Sequence, residues 1–96
     1  MPHFALVPSS RKNKKWMVIW MGGPNIHFGD SRYEDYTSHK DDDRKKKYLS
    51  RTASQPHNDY KKPAFWARHL LWNKTTIVAS IADVNARWPA VQVERG

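Results

Sequence analysis

Cysteine is absent from the 96 residues, which removes disulfides, thiolate catalysis and cysteine-based zinc sites together. No apolar run approaches the ~20 residues that a bilayer-spanning helix needs, so no membrane span is expected. Met1 to Ser10 lacks the charged start and long apolar stretch of a secretory leader, and none is expected there. Acidic residues are few: nine Asp plus Glu stand against 17 Lys plus Arg, a formal charge of +8. Such an excess repels itself in a folded monomer and is relieved by an anionic partner.

Catalytic and metal-binding patterns are also missing. His3, His27, His39, His57 and His69 form no HxxxH or HExxH pair. Asp41-Asp42-Asp43 lacks the spacing, Gly and terminal Glu of a calcium loop, and a helix N-terminus accounts for it. No GxSxG elbow is present. Gly22-Gly23 is followed by Pro24, which removes an N–H donor where a phosphate-cradling loop needs one. No enzyme, metal or cofactor is therefore expected.

What the chain does have is aromatic mass: five Trp, four Tyr and three Phe. Aromatics bury large areas and also dominate binding surfaces. The length supports one domain, not two.

Residues 1–14 read as an extended basic arm, with two prolines followed by Arg11-Lys12-Asn13-Lys14-Lys15. Arg11, Lys12, Lys14 and Lys15 are its candidate docking residues. Trp16 to Met21 is the best strand, broken by Gly22 to Asn25, and Ile26 to Phe28 returns as its hairpin partner. Ser38 with Asp41 has the form of a capping box, and the order Asp41–Asp43 then Lys45–Lys47 suits a helix over about 39–52. Ala53 to Pro63 reads as a linker. Pro63 opens a second, nearly all-apolar helix over Ala64 to Trp72, and Thr75 or Thr76 caps a third that Pro89 stops. In that third helix Ile77, Ile81, Val84 and Trp88 form one stripe. The expected fold is α+β: a small β-hairpin packed by two or three short helices, with a compact domain over 15–88 and a tail over 89–96.

Lys40, Arg44, Lys47 and Arg51 recur at four, three and four residues. They share one face of the expected helix and can neutralise phosphates along a groove; a solvated face paired with Asp41 and Asp43 is the plain alternative. Trp66, Trp72, Asn73 and Trp88 are candidate fold or interface anchors. Asn73 can bond to main-chain groups left open at a helix–turn–helix corner.

Two blocks carry a resemblance. His27-Phe28-Gly29, Asp35-Tyr36-Thr37, His39-Lys40-Asp41, Arg44-Lys45, Tyr48 and Arg51 make the first. Leu70-Leu71-Trp72-Asn73-Lys74, Ala79-Ser80-Ile81 and Asp83 make the second. Over about residues 16–88 they resemble a family of short proteins of giant (nucleocytoplasmic large) DNA viruses, which read FG…DYT.HKD..RK..Y..R and then LWNK…AS. The resemblance implies an origin and no activity. In such viruses small basic proteins serve in the particle. The expected function is thus a minor capsid or cement protein of the virion, contacting capsid subunits and assembling in the host cytoplasm or nucleus. Non-specific nucleic-acid binding in genome packaging is the alternative.

Overall fold

Short runs rich in apolar and aromatic side chains near the N-terminus, and one near the C-terminus, form strands. The computed structural model describes residues 3–96. The strands β1 (His3–Pro8), β2 (Lys14–Ile19), β3 (Ile26–Asp30) and β4 (Gln92–Arg95) form one sheet in the order β3-β2-β1-β4. β1 and β3 flank β2 antiparallel, with Leu6 opposite Val18 and Trp16 opposite Phe28; β4 joins β1 in parallel, with Phe4 opposite Val93. The class is α+β, as expected, but the sheet is twice the expected hairpin.

The basic arm is corrected by this sheet. Met1 and Pro2 lie outside the described residues, but residues 3–8 are a central strand and not a free arm. Phe4 and Leu6 are each only 1% exposed. Burying a side chain of this size stabilises by about 1.5–3 kcal/mol, which outweighs the charge that follows it. Pro8 closes the strand, where a missing N–H is tolerated. The expected tail is corrected for the same reason: Val91 and Val93 are buried, and β4 completes the sheet.

The expected helix over 39–52 is split in two. Asp35 caps α1 (Tyr36–His39), accepting from the Thr37 N–H at 3.1 Å. Lys40 then turns left-handed at φ 55°, and Asp41 caps α2 (Asp42–Arg51) by accepting from Asp43 N–H at 3.0 Å and Arg44 N–H at 3.3 Å. Ser38, the expected cap, sits inside α1. An Asp carboxylate offers the open N–H groups a stronger acceptor than a Ser hydroxyl does.

Pro63 opens α3 (Pro63–Trp66), which widens into a π-helical turn over Ala67–Leu71. Phe65, Trp66, Leu70 and Leu71 are all buried. They pair at a spacing of five, and a turn with bonds from i to i+5 brings both pairs into the core. Trp66 lies at the centre, its ring 4.9 Å from Phe4 and 6.4 Å from Phe28, with its indole N–H donated to the Tyr60 carbonyl at 2.8 Å. Thr76 caps α4 (Ile77–Arg87) through Ala79 N–H at 3.1 Å. Ser80 and Val84 are its fully buried residues, while Ile77, Ile81 and Trp88 pack half-buried against the core. The buried stripe is therefore turned toward Ser80, whose hydroxyl accepts from Lys74 N–H at 3.1 Å.

Candidate functional site

α2 buries none of its residues, so its charges are presented to solvent. At 100° per residue Arg44, Lys47 and Arg51 fall on one flank of this helix. Lys40 does not join them. As the left-handed residue that ends α1, it folds its ammonium back to the Thr37 carbonyl at 3.1 Å. The expected row of four is thus a row of three.

A fourth cation arrives from the sheet. Residues 9–13 are the turn between β1 and β2, and Ser31 N–H donates to the Asn13 carbonyl at 3.1 Å, which holds that turn beside the loop after β3. This places Lys14 and Lys15 at the mouth of an open cleft whose other wall is the end of α2. The cleft consists of two adjoining pockets of about 420 and 500 Å³ that share Tyr33, Glu34, Arg51 and Trp72. Lys14 lines the first, and Arg44 and Lys47 line the second. Arg11 and Lys12 stay exposed in the turn itself.

Three carboxylates also line the cleft, and each is engaged. Asp35, buried, accepts from Lys15 Nζ at 2.7 Å, so Lys15 is a structural partner and not a docking residue. Asp30 holds Arg32 through both carboxylate oxygens, at 3.1 and 2.8 Å. Those hydrogen bonds lower the Asp30 carboxyl to about 2. Glu34 approaches Arg44 only at 3.7 Å, with both side chains largely exposed. Among the described residues Lys14, Lys47 and Arg51 have no carboxylate partner within 4.0 Å. The cleft therefore keeps a positive excess that is fixed in space.

Aromatic rings set its floor. Tyr48 and Trp72 stack with centroids 4.2 Å apart and planes 5° apart, and the Arg51 guanidinium lies 5.7 Å from the Tyr48 ring. His39 packs on Trp72 at 5.2 Å. Desolvation raises the Tyr48 hydroxyl above its ordinary value. Tyr33 stands at the rim with 67% of its surface exposed.

Trp66 and Trp88 are core residues: Trp66 is fully buried and Trp88 packs edge-on against Phe65 at 5.1 Å. Asn73 is a fold determinant, donating to the His69 carbonyl at 3.2 Å and to Asp83 at 2.6 Å. Trp72 alone of the four anchors reaches the cleft. Sequence reasoning missed Tyr33 and paired Lys14 with the wrong neighbours. A Tyr in a loop carries no signal of its own, and the meeting of Lys14 with α2 is set by tertiary structure. Among the described residues no helix is long and apolar enough to cross a membrane, and no group of three or more His, Asp or Glu could hold a metal ion.

No curated protein and no solved structure matches the chain. A family model does match, over residues 4–52, just over half of the 96 residues. The matched span runs from β1 to the end of α2 and carries the basic wall of the cleft, and on this match the chain belongs to a family of unknown function, DUF5754.

Proposed function

We propose that this protein binds nucleic acid without sequence preference and serves in packaging the genome of a large DNA virus. One observation carries the binding: Lys14, Lys47 and Arg51, with Arg44 weakly held by Glu34, surround a single open cleft, and among the described residues no carboxylate pairs with the first three. Cations in this arrangement neutralise successive phosphates and release counterions. The exposed Tyr33 ring offers a stacking surface for an unpaired base. α2 presents Arg and Lys but no Asn or Gln along its exposed flank, which suits backbone contact over base reading. The viral origin rests on the resemblance of the two sequence blocks.

Fluorescence anisotropy of a labelled duplex across a salt series tests the binding. Four contacts give a slope of log K against log salt near −3.6, at about 0.9 per phosphate. Arg44→Glu with Lys47→Glu should remove most of that binding. An affinity unchanged by the double reversal would overturn the reading.

A second reading, a minor capsid or cement protein, is favoured by a different surface. The sheet face away from the helices carries Ala5, Val7 and Ile19, with Ile19 42% exposed, and Met21 stands fully exposed in the next turn. Of the expected docking arm, residues 3–8 are strand β1, and Arg11 and Lys12 stay exposed in the turn that follows. Stripping purified virions stepwise with salt and detergent separates the two: release with the shell supports the cement, and release with the genome supports the packaging protein.

A further inference from the structure

On the other side of Trp72 lies a smaller pocket, of about 170 Å³. Lys45, Arg68, His69, Asn73 and Arg87 line it. Lys45 sits on a different flank of α2 from Arg44, Lys47 and Arg51, so this pocket is separate from the cleft.

Its charges do not balance. Among the described residues the carboxylate bonded to its lining is Asp83, taken by Arg87 Nε at 2.8 Å and Asn73 Nδ2 at 2.6 Å. Lys45 Nζ donates to the Asn73 carbonyl. Burial holds His69 neutral by lowering its pKa, and its Nδ1 lies 3.3 Å from Arg87 Nη2. That leaves Arg68. Its Nη1 is buried from solvent with no hydrogen-bond acceptor, and among the described residues no carboxylate lies within 4.0 Å of its guanidinium. Buried donors of charged groups are otherwise almost always bonded, because leaving one open is costly. Three cations against one carboxylate around a pocket is an arrangement that an oxyanion completes. At about 170 Å³ the pocket is roomy enough for a tetrahedral oxyanion.

We propose that Arg68, Arg87 and Lys45 form a binding pocket for a phosphate dianion, either free inorganic phosphate or the terminal phosphate of a nucleotide chain. Arg68 lines the pocket with a guanidinium that no acceptor among the described residues engages, Arg87 and Lys45 add charge, and Trp72 forms the wall shared with the cleft. This site differs in kind from the cleft, which engages internal phosphodiesters along a strand. It does not depend on the nucleic-acid reading.

Calorimetry with inorganic phosphate up to about 20 mM, at constant ionic strength in chloride, tests the first source. A 5′-phosphorylated trinucleotide against its unphosphorylated twin tests the second. The expected result is saturable binding of one or both phosphate probes, weakened at least about tenfold by Arg68→Gln and unaltered by Lys61→Gln, a surface lysine that lines neither the pocket nor the cleft. Should Arg68→Gln fail to fold, the unsubstituted protein decides by nuclear magnetic resonance. Phosphate should then shift the Asn73 amide and Arg87 Nε signals ahead of those of Arg44 and Arg51. No saturable binding of either probe, equal loss in both variants, or shifts centred on the cleft would overturn the proposal.

Discussion

Asn85 on α4 closes both main-chain groups of Val93: its Nδ2 donates to the Val93 carbonyl at 3.0 Å, and the Val93 N–H donates to its Oδ1 at 2.9 Å. Gly96 N–H bonds inward to the Leu6 carbonyl at 3.0 Å, so in this parallel pair the main-chain groups of Val93 point away from β1 while its side chain stays buried. One side chain thus seals the middle of the open β4 edge. Unpaired edges are templates for strand addition. Asn85→Ala should lower stability by about 1–3 kcal/mol through the orphaned N–H and promote association. Thermal melting and sedimentation at two protein concentrations check this; an unchanged melt and a strict monomer would refute the sealing role.

Leu6 tests the placement of β1. A free arm would tolerate Leu6→Ala, whereas a central strand loses about 2–5 kcal/mol. Leu6 is 1% exposed, so the larger effect is expected. The urea midpoint measures it, and a shift within error would return residues 3–8 to the status of an arm.

Val84 and Ile81 separate the two possible faces of α4. Val84 is fully buried and Ile81 only half-buried. Val84→Asp should abolish folding, since a buried unpaired carboxylate costs several kcal/mol in a domain whose whole stability is about 5–15. Ile81→Asp should be milder. Circular dichroism of both variants decides, and the reverse ranking would show that the helix is turned.

His69 sets a pH dependence. Desolvation lowers its pKa from the ordinary 6.5, against the opposing hydrogen bond to the His57 carbonyl. The unfolded chain therefore takes up its proton first as pH falls. Between 6.5 and the folded value the unfolded state binds more protons, so stability declines on acidification through that window. His27, lowered chiefly by desolvation, acts in the same direction. Chemical denaturation from pH 7.5 down to about 5 should show the decline, and His69→Gln should flatten it. Identical pH slopes in the two proteins would exclude His69 as a source.

Arg44 and Lys47 lie on a wet surface, with Arg44 half-exposed even beside Glu34. Reversing both charges should leave the melting temperature within a few degrees, because exposed pairs contribute about 0–1 kcal/mol. A collapse of the melt would make the row structural and remove it from the binding face.

Much of this was legible in local chemistry. The β2–β3 hairpin follows from Trp16–Met21 and the Gly22–Asn25 break, and α4 from the Thr76 cap. β1 was hidden because Pro8 and the cluster that begins at Arg11 look like an arm. Only a strand partner reveals that Phe4 and Leu6 point one way. The C-terminal Val91-Gln92-Val93-Glu94 alternation was visible but short, and its partner lies at the far end of the chain. Of the site, the α2 row could be read from spacing. Its loss of Lys40 depended on a single left-handed residue, and its gain of Lys14 on the contact between two loops.

The pairing of β1 with β4, His3 facing Gln92, governs how this chain can be born. β1, β2 and β3 can form their hairpins as soon as they leave the ribosome. The outer side of β1 then stays bare until residues 92–95 are synthesised, and Phe4 lacks the flank that Val93 supplies. Closure over so long a loop is slow, and a bare strand waiting on a half-made chain is prone to aggregate.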